Sequence, residues 1–222
     1  MKGVIFDVGG VLAQDVWENL LLDQGDGDQP AGIASLHGLD AGLVQRVGRL
    51  LWEAFAYTPE TKRNDWHELE KRYWEWFIEF FWGKNPPDGV SADGFIAMTG
   101  TFIRPVPGVQ AVLKRLQFQG HALAICSNNN EFWFRRQMAE LRLHRFFSSE
   151  KIVLSCRIGV AKSSGTFEMF HAAADSLSLT PSGCAFVDDR QGNVDRANEL
   201  GMHGMLFHNA QQIDEELRKA GF

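Results

Sequence analysis

Four polar clusters in this sequence stand at or just beyond short apolar runs. Asp7 follows Val4-Ile5-Phe6, and Ser127-Asn128 follows Ala122-Leu123-Ala124-Ile125-Cys126. Lys162 closes the stretch Arg157-Ile158-Gly159-Val160-Ala161, and Asp188-Asp189 follows Cys184-Ala185-Phe186-Val187. Together they offer carboxylates, an amine, a hydroxyl and the N–H groups of any helix that starts nearby. That set suits a divalent cation and a phosphate, with carboxylate oxygens holding Mg²⁺ and the lysine and N–H groups holding the anion. Asp7 is then placed as a nucleophile for phosphoryl transfer.

Each cluster taken alone has a plainer role. Ser127 or Asn128 could start a turn or cap a helix, and Lys162 could be a solvated lysine, as most are. Asp189 could cap the next helix, although two adjacent carboxylates at the end of a buried strand repel one another without a cation. The elements around them supply the reason to take them together. A short apolar run bounded by turn residues reads as a buried strand, and Gly9 and Gly10 after Asp7 allow a tight turn and close approach to a ligand. Strands are expected at Val4–Phe6, His121–Cys126, Lys151–Cys156, Cys184–Val187 and Gly204–Phe207, with helices starting near Glu131, Ser164, Asn193 and Gln211. Another helix opens at Pro107-Gly108-Val109, carries Val109, Val112, Leu113 and Leu116 as its stripe, and stops at Gly120. Strand and helix in alternation imply a parallel sheet with helices on both faces. In such a sheet all strand C-termini lie on one edge, so Asp7, Ser127, Lys162 and Asp188-Asp189 converge on one crevice.

Between the first strand and Arg104 the pattern is helical. Val44, Val47, Leu50, Leu51, Ala54 and Phe55 recur at helical spacing, as do Trp66, Leu69, Tyr73, Phe77 and Phe80. Trp74, Trp76, Phe81 and Trp82 make the second of these helices aromatic on nearly every side, as in the core of a small helical module, a pocket lining or a dimer seam. Gly25-Asp26-Gly27-Asp28-Gln29-Pro30 lacks EF-hand ligand spacing and reads as a solvated loop. The expected organisation is an α/β, Rossmann-like parallel-sheet core of residues 1–14 and 104–222, with an inserted all-helical unit at 15–103.

The bulk composition agrees with a globular domain: of 222 residues, 45% are hydrophobic and 23% charged. A net charge of −6 argues against a nucleic-acid surface, so an anionic substrate needs local positive charge. The sequence lacks a signal-peptide pattern and a membrane-length apolar run. Cys126, Cys156 and Cys184 show no metal-ligand spacing and read as buried reduced thiols. A cytoplasmic enzyme is expected, monomer or homodimer, with a small-molecule phosphorylated substrate and neither nucleic acid nor membrane as partner.

The four clusters, in this order and spacing, resemble the motifs of the haloacid dehalogenase (HAD) superfamily of aspartate-nucleophile hydrolases, and the helical insert resembles that superfamily's C1 cap of subfamily I. The motifs span residues 7 to 193. The resemblance implies that Asp7 attacks phosphorus and carries an aspartyl-phosphate, and that Ser127 and the Asn128 amide bind phosphoryl oxygens. It implies that Lys162 neutralises charge, that Asp189 ligates Mg²⁺ with Asp7 and the Gly9 carbonyl, and that Asp188 holds Lys162. The sequence leaves the roles of the two adjacent aspartates interchangeable. Asn193 matches a polar position near metal and phosphate. Family phosphatases usually read Asp-x-Asp at the first motif, the second Asp being the general acid/base. Here Gly9 replaces it, and positioned acid/base catalysis contributes roughly 10²–10⁴-fold. A cap residue such as Asp15, a bound water or a leaving group needing little protonation, such as a sugar 1-phosphate, would ease that loss. Lys162 is followed by Ser163 where the family often has proline. Three functions are therefore in view: a Mg²⁺-dependent phosphatase of small metabolites, a metal-free 2-haloacid dehalogenase, and a binding or regulatory protein with little turnover.

Overall fold

The computed structural model describes residues 2–25, 30–57 and 65–222. Most of the expected loop at 25–30 therefore lies outside the described residues. Five strands, β1 (Gly3–Phe6), β2 (Ala122–Ser127), β3 (Ile152–Leu154), β4 (Cys184–Asp188) and β5 (His203–Leu206), form one all-parallel sheet in the order β3-β2-β1-β4-β5. The period-two alternation of each strand sorts its side chains between two faces. Val4, Phe6, Leu123, Ile125, Ala185 and Val187 belong to one buried cluster, whereas Ile5, Ala124, Cys126, Cys184 and Phe186 belong to the other. Both faces need covering, which is why the strands read as continuous apolar runs.

Helices α6 (Val109–Phe118), α7 (Glu131–Glu140) and α11 (Ala210–Lys219) bury residues in the first cluster, and α9 (Glu168–Ser176) and α10 (Gln191–Glu199) in the second. Between β1 and β2 the chain forms α1 (Val16–Leu22), α2 (Ile33–His37), α3 (Ala41–Ala56), α4 (Trp66–Trp82) and α5 (Ala92–Phe102). Four of these begin on a side-chain cap: Asp15, Asp40, Asp65 and Ser91 each accept from a backbone N–H in the first turn. On α4, Tyr73, Trp74 and Phe77 are buried while Trp76 and Phe80 are exposed, so the aromatic helix has a definite inner face. That face continues the sheet's own core. Tyr73 and Trp74 stack against Trp133 of α7 at 5.5 and 6.3 Å between ring centroids. Arg136 of α7 donates to Glu70 of α4 at 2.8 Å.

The third strand is shorter than the apolar pattern predicts. It ends at Leu154, and Ser155–Ile158 forms a helical turn, α8, closed by Gly159 in the left-handed conformation at φ +88°. An apolar run alone does not separate a strand from a helical turn. Here Ser155 decides it, because its hydroxyl donates to the Ala56 carbonyl at 2.8 Å and accepts from Asn129 N–H at 3.0 Å. The helix expected from Ser164 starts at Glu168, after a turn in which Ser164 N–H bonds Ala161.

Candidate active site

Register fixes the first pair of acids. Phe6 of β1 pairs with Val187 of β4, so Asp7 and Asp188 come next on adjacent parallel strands, level with one another. Asp7 N–H donates to the Val187 carbonyl at 2.9 Å. On the other side Phe6 pairs with Ile125, which brings Ser127 to the same edge, where its hydroxyl hydrogen-bonds the Asp7 carboxylate.

Lys162 enters between the two acids and is itself buried. Its Nζ lies 3.1 Å from Asp7 Oδ1 and 2.5 Å from Asp188 Oδ2. The loop that carries it is tied down by its own backbone, Lys162 N–H donating to Asn128 Oδ1 at 2.9 Å. Asp188 is fully committed within the protein, since Oδ1 also accepts from Arg190 N–H and Asn193 Nδ2, each at 2.9 Å. Asn193 thus reaches the site through Asp188. Asp189, one residue on, is exposed and lines the cleft.

The backbone after Asp7 turns back at once, with the Val8 carbonyl accepting from Leu12 and Ala13. Gly10 has φ +72°, and a Cβ there would sit 2.3 Å from Asp189 Oδ2. It is glycine for two reasons, conformation and the carboxylate packed against it. Gly9 differs: its φ is not positive, and a Cβ would meet nothing within 4 Å.

The charges do not balance. Asp7, Asp188 and Asp189 have carboxylate oxygens within 4.8 Å of one another, and Lys162 is the ammonium among them. Burial pushes Asp7 up to about 6, against the pull of Lys162 and the Ser127 hydrogen bond, and Asp188 and Asp189 push the same way. Asp189 is raised by partial desolvation at the cleft and by Asp188. Lys162 stays protonated above its usual range, because Asp188 and Asp7 outweigh the cost of its burial. Asp7 and Asp189 offer hard oxygen donors amid uncompensated negative charge, which fits a divalent cation such as Mg²⁺. Cys126 lies beneath this cluster, buried and pushed up to about 12 by desolvation, so its thiol is inert as a nucleophile. Cys156 and Cys184 are buried too, and none of the three forms a disulfide.

The cluster opens into a cleft of about 360 Å³. Asp7, Gly9, Asn128, Lys162, Asp189 and Asn193 form its floor, while residues of α1, α3 and α7 also line it. The cleft side chains Trp17, Trp52, Tyr57, Asn129 and Trp133 were not among the residues singled out from the sequence. The one available signal was Asn128-Asn129-Asn130, three amides in a row after a strand. In the fold Asn130 caps α7 and Asn129 donates to Gln137 at 2.9 Å. A wider hollow of about 570 Å³, lined by α4 and the loop leading into α5, contains none of these groups.

Comparison with known proteins bears on the same residues. Over 117 residues the chain is 31% identical to flavin mononucleotide hydrolase 1 of Arabidopsis thaliana, covering 51% of this chain and 44% of that one. The chain thus spans less than half the length of that curated relative. Among solved structures, a HAD family enzyme of Bacteroides thetaiotaomicron in a magnesium complex superposes with a TM-score of 0.59 at 20% identity, over 98% of each chain. L-2-haloacid dehalogenase of Xanthobacter autotrophicus gives 0.60 at 16% identity, over 100% of this chain and 84% of that one. At such identities these two likenesses speak for the fold. The sequence model of the haloacid dehalogenase-like hydrolases matches residues 1–201, a stretch that contains every residue of the acidic cluster and its lysine, and the chain belongs to that family.

Proposed function

We propose that this hydrolase is a Mg²⁺-dependent phosphatase that cleaves a small phosphorylated metabolite, sugar phosphates among the candidates, through an aspartyl-phosphate on Asp7. The observation that carries the reading is the packing of three carboxylates around one buried lysine at the floor of a cleft. A metal-free dehalogenase site has no need of Asp189, the carboxylate that no cation among the described residues pairs. The Arabidopsis relative is named for flavin mononucleotide, itself a phosphate monoester. A structure of the Bacteroides enzyme holds magnesium with inorganic phosphate.

In this mechanism Asp7 attacks phosphorus as the bond to the ester oxygen breaks, that oxygen takes its proton from water, and a second water then cleaves the acyl phosphate to regenerate the carboxylate. Ser127 and the Asn128 N–H bind the phosphoryl oxygens. Lys162, held by Asp188, places its charge where negative charge accumulates. Asp188 is itself oriented by Asn193 and Arg190. Asp7, the Gly9 carbonyl and Asp189 would hold Mg²⁺, with Asp189 as the direct second carboxylate because both oxygens of Asp188 are occupied. When bound, the cation supplies positive charge opposite the transferring phosphoryl group. Residues 15–103 act as the cap that selects the organic half of the substrate.

The absence of a carboxylate at Gly9 favours a second reading, a binding protein with little turnover. One experiment separates the readings: phosphate release from acetyl phosphate and a panel of phosphorylated metabolites with Mg²⁺, on wild type and Asp7→Asn. Release that disappears with EDTA and in Asp7→Asn supports the phosphatase. Tight beryllium fluoride binding without turnover supports the binding protein. Chloride release from a 2-haloacid in the presence of EDTA supports the dehalogenase.

A further inference from the structure

The wall of the cleft opposite the catalytic floor is built from aromatic rings, contributed by three helices and their ends. Trp17 of α1 and Trp133 of α7 stack at 5.1 Å between centroids with an interplanar angle of 48°. Trp52 of α3 and Tyr57, its C-terminal cap, meet edge to face at 5.7 Å and 87°. All four line the same cleft as Asp7 and Lys162.

These rings are not simply spare core. The aromatic core of the helices is Tyr73, Trp74 and Phe77, each with no exposed surface, whereas Trp17, Trp52 and Tyr57 remain partly open. Their positions are enforced. A Cβ on Gly48 would come within 2.7 Å of the Trp17 ring, so only glycine lets that indole lie against α3. The Ser155 hydroxyl anchors the Ala56 carbonyl, next to Tyr57 in the chain.

Several of the polar side chains beside these rings are committed to one another, while Gln45, Arg46 and Arg190 also line the cleft. Asp15 accepts from the Trp17 and Glu18 N–H groups. Glu53 pairs with Arg49 at 3.0 Å. Asn129 accepts from Asn130 N–H and donates to Gln137. Beside these polar groups the wall presents ring surface, which takes offset or edge-on stacking. The volume is of the size that encloses a small ligand.

Resting on the phosphatase reading, we infer that the substrate is a phosphate monoester whose organic half is a planar aromatic or heteroaromatic ring, stacked on the Trp17, Trp52 and Tyr57 wall while its phosphate lies at Asp7. The ring site narrows the class of small phosphorylated metabolites to those bearing such a ring.

The test compares esters that share a primary-alcohol leaving group, so that differences in kcat/KM report the organic half. Pyridoxal 5′-phosphate, flavin mononucleotide and adenosine 5′-monophosphate supply the ring; glycerol 3-phosphate, ribose 5-phosphate and glucose 6-phosphate lack it. We expect the best ring ester to exceed every ring-free ester at least tenfold. The ratio is expected to fall toward one in Trp52→Leu and to be retained in Trp52→Phe. Equal or better turnover of ring-free esters, or a ratio that Trp52→Leu leaves unchanged, overturns the inference. If no ester and no acetyl phosphate is hydrolysed, the phosphatase reading fails on its own. The ring site is then decided by tryptophan fluorescence with pyridoxine, riboflavin and adenosine. Saturable quenching that weakens in Trp52→Leu supports it, and its absence overturns it.

Discussion

Replacing Gly9 by aspartate tests whether the missing carboxylate alone limits the chemistry. The structure makes this substitution unusually clean. Gly9 has no positive φ, and a Cβ at that position meets nothing within 4 Å, so the first atom of a side chain displaces no neighbour. The backbone carbonyl, the group available to a cation, is unchanged. Replacing a glycine whose φ is not positive also removes freedom from the unfolded chain, worth about 0.4–1 kcal/mol in favour of folding. The new carboxylate would stand two residues from Asp7, on the cleft that Gly9 already lines. A positioned acid/base is worth roughly 10²–10⁴-fold, or about 3–5 kcal/mol of barrier. The gain should depend on the leaving group: large for a primary alkyl phosphate, small for p-nitrophenyl phosphate, whose phenolate leaves without help. The assay is steady-state phosphate release from both esters with saturating Mg²⁺, with Gly9→Asn as the isosteric control. The reasoning is refuted if Gly9→Asp folds and binds Mg²⁺ as wild type does yet gains nothing on the alkyl ester, or if Gly9→Asn gains as much.

Gly10→Ala has the opposite expectation, because its Cβ would fall 2.3 Å from Asp189 Oδ2 at φ +72°. A loss of about 1–3 kcal/mol in urea unfolding and at least tenfold weaker Mg²⁺ binding by calorimetry are expected, and wild-type affinity would contradict the packing argument. Lys162→Met strands Asp7 and Asp188 without their buried cation. Unfolding without Mg²⁺ should register a loss of about 3–5 kcal/mol, part of which excess Mg²⁺ recovers, and an unchanged midpoint would show that the pair is not structural. Glu70 supplies a pH signature away from the active site. Burial raises it from an ordinary 4.5 to about 7 despite Arg136, and its Oε1 has no hydrogen-bond partner. The folded state therefore holds the proton more tightly than the unfolded chain, so this contribution is full below about pH 4.5 and declines until about pH 7. The full span is about 3 kcal/mol. Wild type should lose stability relative to Glu70→Gln across that window, as measured by urea unfolding at several pH values, and parallel profiles would refute the assignment.

The sequence alone determined the α/β alternation and the edge on which the chemistry lies. The reason is that both signals are local: strand runs buried on both faces must be apolar, and the polar residue ending each run must sit at a strand C-terminus. Asp7, Ser127 and Asp188 follow from that rule directly. The capped, amphipathic α3 and α4 were legible from helical spacing in the same way. The shortening of β3 was not, because Ser155 becomes helical through a bond to Ala56, 99 residues away in the chain. Nor could adjacency in sequence separate Asp188 from Asp189. Only the packing of Lys162, Arg190 and Asn193 onto Asp188 leaves Asp189 open to the cleft. Glycines 9 and 10 look alike in the sequence, yet the fold makes Gly10 indispensable and Gly9 open, because an aspartate from the far end of the chain packs against Gly10 alone. The aromatic wall is likewise tertiary: Trp17, Trp52 and Trp133 carry no shared spacing, and three separate helices bring them to one cleft.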